Sequence, residues 1–261
     1  MGQKHLDQFG TSTEILVKLL DPDQRLPVHY HPDQKFAAEK VHVNHGKTEA
    51  WIILEAPPKA RVGLGFNRQM EKSEVAALVA AHDSEGLLDS LVFTEVTAGD
   101  AVFVPAGIPH AIESGIFVLE LQEPTDLSIL LEWDGFAVDG DKDGHLNLGF
   151  DSALDALRLS PLSEKESSLV ISKFDTAADS PHSIFQSIAD PFFRADYLTG
   201  NGEETPAGFG IFMCLSGTGK LNFHNYDQLS VAIGDAVVIP HSAGSFQING
   251  CAGILCRPPE A

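Results

Sequence analysis

The chain has 261 residues, 43% of them hydrophobic, which is enough to build the core of one large domain or two small ones. Its 17 Lys and Arg stand against 37 Asp and Glu, and the net charge of −20 excludes nucleic acid and anionic membrane surfaces as favoured partners. No apolar run approaches the roughly 18 to 20 residues of a membrane helix, and the first residues lack a secretory signal, so we expect a soluble cytoplasmic protein.

Short apolar runs separated by Gly, Pro, Asn and Asp fill most of the chain, a pattern typical of an all-β sandwich or barrel. Apolar residues at helical spacing predict a helical insertion over 72–91, with Ser73 as its cap and a break at 82–86, and a second helical piece over 152–157. The predicted strands are 50–56, 91–96, 101–104, 115–121, 127–133, 168–174, 192–197, 208–215, 220–223, 229–232, 236–239 and 250–257.

One motif occurs twice, since residues 98–105 (Ala-Gly-Asp-Ala-Val-Phe-Val-Pro) return as residues 233–240 (Ile-Gly-Asp-Ala-Val-Val-Ile-Pro). Gly-Asp predicts a tight turn, and Pro ends the short strand that follows because it has no amide hydrogen. A repeated unit indicates duplicated structure, and the polar stretch 160–168 is the candidate linker. We therefore predict an N-terminal domain over 1–159 and a C-terminal domain over 160–261.

Three histidines and one glutamate form a candidate metal site in the first half. His29 and His31 lie two apart in a strand-like segment, so their side chains share a face at a spacing of about 6.6 Å. Glu49 stands at the start of an apolar strand, and His110 follows the first copy of the Gly-Asp motif. Three imidazoles and a carboxylate suit zinc, iron, manganese or nickel, and four such groups would be costly to bury without an ion.

The order His-x-His, Glu, then Gly-Asp-(x)4-Pro-x-Gly-x-x-His resembles the metal signature of the cupin superfamily. Segments 27–33, 46–54 and 99–112, together with the helical insertion, resemble the class I mannose-6-phosphate isomerase family from about residue 25 to about 157. The resemblance implies an all-β bicupin of two double-stranded β-helix barrels, with the helical insertion and a zinc ion in the first. His31, Glu49 and His110 match the family's ligands, and His29 stands where the family usually has Gln. The second barrel is expected to be degenerate.

The resemblance also implies an activity, the interconversion of an aldose and its 2-ketose through a cis-enediol, with mannose 6-phosphate and fructose 6-phosphate as the family's pair. Lys47 resembles the family's site lysine, and Glu120 is a candidate acid/base on the same strand face as Gln122, a candidate hydroxyl-binding group. Asp126 corresponds to a family aspartate that orients substrate or loop, and Trp51 is a candidate surface for stacking on a sugar. For each there is a structural alternative, namely solvated residues or, for Trp51, core packing.

The family's arginine after the Thr-Asp pair is missing, because no arginine occurs between Arg68 and Arg158. Since a phosphosugar needs concentrated positive charge, this departure leaves open a phosphorylated or an unphosphorylated sugar as substrate. A non-catalytic, metal-containing sugar-binding or sensor cupin is the alternative. Oxygen-dependent metal chemistry is a second rival, and the retained helical insertion speaks against it.

Overall fold

The computed structural model describes residues 1–260, and it is mostly β-sheet with a few short helices. The all-β prediction is confirmed at that level. The strands are β1 (Leu16–Leu20), β2 (His29–Tyr30), β3 (Glu49–Glu55), β4 (Arg61–Phe66), β5 (Leu91–Glu95), β6 (Asp100–Val104), β7 (His110–Ile112), β8 (Phe117–Gln122), β9 (Ile129–Leu130), β10 (Ile171–Lys173), β11 (His182–Ser183), β12 (Arg194–Leu198), β13 (Asn201–Thr205), β14 (Gly210–Phe223), β15 (Leu229–Ala232), β16 (Ala236–Ile239) and β17 (Phe246–Arg257).

The helices are short. They are α1 (Gln3–Phe9), α2 (Gln34–Phe36), α3 (Lys72–Ala80), α4 (Ser84–Asp89), α5 (Gly140–Asp143), α6 (Phe150–Ala153) and α7 (Glu164–Val170), with a π-helical turn at Ala37–Val41 and 3-10 turns at Leu154–Ala156 and His241–Ala243. Within residues 1–260, none of these is long and apolar enough to cross a membrane.

The chain divides into two compact units. The central unit is Lys18–Ile171, and the terminal unit joins Met1–Val17 to the chain from Ser172 onward. The predicted boundary between residues 159 and 160 stays a prediction about domains, and the first 17 residues group with the later part of the chain.

Two five-stranded sheets, with the orders β1-β8-β3-β6-β10 and β5-β4-β7-β2-β9, contain the strands of the central unit, and the edge strands β1 and β10 extend beyond its bounds at Lys18 and Ile171. In the first, β3 is antiparallel to both β6 and β8, and it is buried over its first five residues. In the second, β7 is antiparallel to β2 and β4. An apolar cluster that includes Tyr30, Phe66 and Leu87 packs the helical insertion in this unit. The Tyr30 hydroxyl donates to the Ala153 carbonyl at 2.8 Å, which fixes the strand between His29 and His31.

The terminal unit is built on a seven-stranded sheet with the path β11-β12-β17-β14-β15, to which β13 pairs at β17 and β16 at β14. The long strands β14 and β17 run antiparallel, with register shifts between Cys214 and Ser216 and between Gly217 and Lys220. Its apolar cluster includes Phe212, Leu221 and Phe246.

Several predicted elements hold and others need correction. The insertion at 72–91 is two helices, α3 and α4, as the predicted break requires, but Glu71 and not Ser73 is the N-cap residue of α3. The predicted strand 168–174 is wrong in its first part, because a capping box between Ser163 and Glu166 starts α7, which continues to Val170. The predicted strands 208–215 and 220–223 are one strand, β14. Strands β1, β4, β7, β11 and β13 were not predicted.

Candidate metal centre

Three histidine side chains converge in the central unit. His29 in β2 and His110 in β7 are direct cross-strand partners, and His31 follows β2 by one residue. One nitrogen from each ring lies within 4.8 Å of the other two, and the Nε2 atoms of His29 and His110 are 3.1 Å apart. Pro27 and Pro32 bracket this short strand, because proline cannot donate to a sheet ladder. The predicted grouping of these three residues is thus observed.

Backbone carbonyls orient all three rings. The Nδ1–H groups of His29, His31 and His110 donate to the carbonyl oxygens of Pro27 (2.7 Å), Leu127 (2.7 Å) and Ile108 (2.8 Å), respectively. Since a carbonyl can only accept, each proton sits on Nδ1 and each Nε2 keeps a lone pair for the shared centre. A hydrogen bond at the far nitrogen is how proteins orient histidine ligands of metals.

Burial keeps these imidazoles neutral. Desolvation is the largest cause that lowers the pKa of His29 and of His110 to about 3 and that of His31 to about 4. The neighbouring Glu49 works in the opposite direction at each ring, but burial outweighs it. The rings are therefore neutral near pH 7, the form that binds a metal ion.

Glu49, the first residue of β3, completes this donor set. Its Oε2 lies 3.0 Å from His31 Nε2, and its Oε1 lies 3.3 Å from His110 Nε2. Burial would raise the pKa of Glu49, yet its polar neighbours, among them the Lys47 ammonium, outweigh burial and hold that pKa well below its usual value. The carboxylate is thus ionised, as a metal ligand must be.

Two neighbours hold the Glu49 carboxylate, one on each oxygen. The Lys47 ammonium donates to Oε2 at 2.5 Å, and the Trp51 indole N–H donates to Oε1 at 3.0 Å. Lys47 also donates to His31 Nε2 at 2.8 Å and is 5% exposed. Trp51 is fully buried, so its observed contact is with Glu49, and stacking on a sugar stays a prediction.

The start of β3 reaches the histidines through a close approach of two backbones. The Lys47 N–H donates to the Pro32 carbonyl at 3.0 Å. A Cβ at Gly46 would lie 2.5 Å from backbone atoms of the Asp33–Gln34 peptide, so only glycine fits there. Lys47 and Glu49 are therefore brought to His31 by the segment that the sequence analysis singled out for its Gly-Lys-Thr-Glu order.

The strand β8 places Glu120 and Gln122 beside β3. Gln122 is the cross-strand partner of Glu49, and Glu120 is the partner of Trp51, so both lie on the face that carries Glu49. Burial is the largest cause that raises the pKa of Glu120 to about 7; Glu49 adds to it, while Lys47 and Lys18 oppose it. Gln122 is fully buried, and its Oε1 has no hydrogen-bond partner among residues 1–260.

Lys18 is a site residue that the sequence reasoning missed. Its ammonium lies 2.5 Å from Asp126 Oδ1 and 3.7 Å from Glu120 Oε1. The predicted residue Asp126 is at the outer edge of this group, with its side chain 72% exposed. Its hydrogen bond with Lys18 is the largest cause that lowers its pKa. The available signal was a lone lysine within the apolar run Leu-Val-Lys-Leu-Leu.

Residues 122–128 connect these groups. They include Glu123, a second site residue that was not predicted from the sequence. Glu123 accepts a hydrogen bond from the Thr48 N–H at 2.7 Å. The Thr125 hydroxyl donates to the Gly46 carbonyl at 2.6 Å, and the Leu127 carbonyl accepts from His31. The segment thus fixes both the start of β3 and one histidine ring.

The comparisons with known proteins point in one direction. No protein-family model matches the sequence. A mannose-6-phosphate isomerase of Streptococcus mutans is 28% identical over 261 residues, which cover 97% of this chain and 77% of that protein. The mannose-6-phosphate isomerase ManA of Bacillus subtilis is 35% identical over 132 residues, which cover 50% of this chain and 39% of that protein.

Solved structures agree with these relatives. A mannose 6-phosphate isomerase from Bacillus subtilis matches with a TM-score of 0.73 at 23% identity, covering 97% of this chain and 81% of that one. A mannose 6-phosphate isomerase bound with zinc and yttrium matches with a TM-score of 0.70 at 16% identity, covering 99% of this chain and 82% of that one. This chain and these two solved structures share a fold.

Proposed function

We propose that this chain, which belongs to the class I mannose-6-phosphate isomerase family, interconverts mannose 6-phosphate and fructose 6-phosphate in a metal-dependent reaction. The observation that carries the proposal is the convergence of three neutral imidazoles and one ionised carboxylate at a buried point. The relative from Streptococcus mutans, which bears this activity in its name, supports it over 97% of the chain.

The donor set fits a zinc ion. His29, His31, His110 and Glu49 would hold it, because neutral imidazole nitrogens and a carboxylate oxygen are ligands that zinc favours. The bound ion would act as a Lewis acid on the sugar's carbonyl and hydroxyl oxygens. Iron, manganese and nickel accept the same donors, so metal analysis of the purified protein is part of the test.

Glu120 is the group we assign to proton transfer. Isomerisation removes the proton at C2 of the aldose and adds one at C1, passing through a cis-enediol, so one carboxylate can first accept and then return the proton. A group with a pKa near the working pH does both efficiently, and the pKa of Glu120 is raised by burial to about 7. Its place beside Trp51 on β3 puts it on the ligand-bearing face.

Four further residues bind and orient in this proposal. Lys47 holds Glu49 and His31, and its ammonium would stabilise negative charge that develops on a sugar oxygen. The unpartnered Gln122 Oε1 would accept from a sugar hydroxyl. Asp126 would orient Lys18, which places positive charge beside Glu120, and Trp51 would support a sugar ring in addition to holding Glu49.

The same proposal includes the fold of each half of the chain, the number of metal-binding barrels and the location in the cell. We propose that residues 1–159 and 160–261 each form a cupin barrel, so that the protein is a bicupin with one metal-binding barrel. We also propose a cytoplasmic location. Limited proteolysis, followed by identification and sizing of the fragments, tests the division at residue 160 into two barrels.

The test of function is nuclear magnetic resonance in deuterated water with zinc-loaded protein and four sugars: mannose, fructose and their 6-phosphates. We expect mannose 6-phosphate to convert to fructose 6-phosphate with deuterium entering from solvent. Glu120→Gln should retain the metal and lose rate by about 100-fold or more, the range of general acid–base effects. Glu95→Gln, at an exposed position of β5, is the matched control and should keep the full rate.

Each alternative has its own outcome in that experiment. Exchange with mannose and not with mannose 6-phosphate would assign the enzyme to an unphosphorylated sugar. Full metal occupancy without exchange of any of the four sugars would refute the isomerase and favour the sugar-binding cupin.

A further inference from the structure

Two arginines face each other in the terminal unit, far along the chain from the metal ligands. Arg194 begins β12 and Arg257 ends β17, and the two are direct cross-strand partners. Like charges directly opposite each other destabilise a sheet unless something offsets their repulsion. The sequence holds 17 Lys and Arg against 37 Asp and Glu, so most cations could pair with a carboxylate. Two arginines placed directly opposite each other are therefore unexpected in this chain.

Arg257 is buried without an ion pair. It is 8% exposed, and its Nη2 donates to the Pro206 carbonyl at 2.7 Å. Of the carboxylates in residues 1–260, none lies within ion-pair distance of its guanidinium. Arg194 is different, because its Nη1 contacts Glu260 Oε1 at 2.6 Å and its Nε donates to the Pro258 carbonyl at 3.1 Å. A guanidinium carries five donors, so Arg257 keeps donors for a further acceptor.

The backbone holds the Arg257 guanidinium in place. A Cβ at position 208 would lie 1.9 Å from Nη1, so the guanidinium packs against the bare backbone of Gly208 and would have to shift for a larger residue there. Gly208 and the Pro206 carbonyl fix the head group from one side. Fixed donors of this kind recognise oxyanions well, because little side-chain entropy is lost on binding.

Both arginines line a cavity of about 570 Å³, a size within the range of roughly 300 to 1,000 Å³ typical of small-molecule sites. Asp196 lines it too, two residues from Arg194 and therefore on the same face of β12. Asp196 is partly buried, and its side chain accepts no hydrogen bond from any residue that the structure describes. Glu203, Glu204 and Glu260 also line the cavity; Glu203 accepts from the Thr199 hydroxyl at 2.8 Å, and Glu260 pairs with Arg194.

We propose that this cavity binds a hydroxylated oxyanion, a sugar phosphate or a sugar acid, with its anionic group on Arg257 and Arg194 and its hydroxyls on Asp196. Arg257 and Asp196 line one cavity without forming an ion pair, and a ligand with an acceptor at one end and donors at the other satisfies both. A simple inorganic anion uses only the arginine end, and an uncharged polyol uses only the acidic wall. The inference does not depend on the proposed isomerase activity.

The test measures hydrogen–deuterium exchange of the zinc-loaded, full-length protein with four probes: sorbitol 6-phosphate, gluconate, inorganic phosphate and sorbitol. The expected result is protection of the peptides that span 194–198 and 206–208 by one or both of the first two probes. We expect inorganic phosphate to bind at least about tenfold more weakly, because it has no hydroxyl-bearing chain to reach Asp196. We expect sorbitol not to protect these peptides, since charged hydrogen bonds supply most of the affinity. Protection of residues 29–31 reports binding at the metal centre separately.

Variants separate recognition from folding. Arg257→Lys should weaken binding by about tenfold or more, since an ammonium cannot replace a bidentate guanidinium. It also removes the bond to Pro206, so Arg194→Gln, which leaves that bond intact, is the second variant and should weaken binding by at least about threefold. Asp196→Ala should bring the affinity for the hydroxylated probes towards that for inorganic phosphate. Arg68→Gln, an exposed arginine that pairs with Glu74, is the matched control.

Two results would overturn the proposal. One is the absence of protection in the terminal unit at every probe concentration below that which perturbs the whole chain. The other is equal affinity in Arg194→Gln and Arg68→Gln, which would reduce the effect to net charge. A preference for sorbitol 6-phosphate over gluconate identifies the ligand as a phosphate, and the reverse preference identifies a sugar acid.

Discussion

The two copies of the Gly-Asp motif have nearly the same sequence and very different surroundings. Residues 100–104 form β6, in which all five residues are buried and which lies between β3 and β10 in its sheet. Residues 236–239 form β16, which pairs with β14, and Val238 there is 62% exposed. Local sequence therefore determines the turn and the strand, while neighbouring strands determine burial.

The chain also diverges immediately after each copy. After Pro105 it continues to His110, whose ring joins the candidate metal centre. After Pro240 it forms a 3-10 turn, His241–Ala243, and then enters β17 at Phe246. The terminal unit fills its interior with apolar side chains such as Phe212 and Phe246. The residue that joins the first copy to the candidate metal centre thus lies outside the repeated motif.

The largest expected effect comes from replacing the histidine that follows each copy. His110→Ala should abolish stoichiometric zinc binding and lower the isomerase rate by more than about 100-fold, since loss of even an outer partner of a ligand costs about 10- to 100-fold. His241→Ala should leave both unchanged. Metal content per chain by mass spectrometry and the rate with mannose 6-phosphate measure the difference. Equal metal content in the two variants would remove His110 from the site.

The next prediction compares β6 with β16 by replacing one valine with alanine in each strand. Val102→Ala, at a fully buried position of β6, should lower the free energy of unfolding by about 2 kcal/mol through lost burial and a cavity. Val238→Ala, in β16, should change it by about 0.5 kcal/mol or less. Urea denaturation of the metal-free protein measures both. A large loss at Val238 would show that a partner covers this strand in solution.

The next prediction concerns the pH dependence of folding stability, to which Glu120 in the central unit should contribute. In the metal-free protein the pKa of Glu120 is raised by burial to about 7, whereas the pKa of a glutamate in the unfolded chain is about 4.5. As the pH rises between these values the unfolded state loses the proton first, so the folded state becomes relatively less stable.

Glu120→Gln cannot titrate, so its melting temperature should rise relative to that of the wild type as the pH goes from 5 to 8. Thermal melts with a chelator at the two pH values measure this difference. Parallel behaviour of wild type and variant would contradict the raised pKa. Glu95→Gln, at an exposed position, controls for the general effect of removing a carboxylate.

The smallest difference is expected at the turn that both copies share. The Asp100 carboxylate accepts from the Thr97 N–H at 2.7 Å, and the Asp235 carboxylate accepts from the Ala232 N–H at 2.8 Å. Each replacement by alanine should cost about 1 to 2 kcal/mol, with the buried Asp100 at the upper end. Denaturation curves of the two variants check this. A loss of unfolding free energy in only one of the two variants would mean that the shared sequence does not stabilise both turns.

Much of this architecture could be predicted because it is encoded in short stretches. The Gly-Asp turns, the strands that follow them and the helical pair at 72–91 depend on neighbouring residues in the sequence. The grouping of His29, Glu49 and His110 was also predicted, because their order resembles that of a known family. Their detailed geometry is now visible in the contacts among Nε2 and carboxylate atoms.

What could not be predicted depends on long-range pairing. Lys18 lies 108 residues from its partner Asp126, and Glu123 reaches the Thr48 N–H across 75 residues. Strand β1 was missed because Lys18 interrupts its short apolar run, and no turn motif marks where the strand begins. Helix α7 was missed because its capping box, which involves Ser163 and Glu166, fell within a stretch interpreted as a linker.

The orientation of the three rings bears on how such a centre can originate and change. His29 and His110 each donate to the carbonyl two residues earlier in the chain, just before their strands begin, so each candidate ligand has its orienting group beside it in the sequence. His31 alone depends on a distant segment, through Leu127. Two of the candidate ligands therefore carry their orientation within their own segments, whereas we expect substitutions in residues 122–128 to reorient His31 without replacing any candidate ligand.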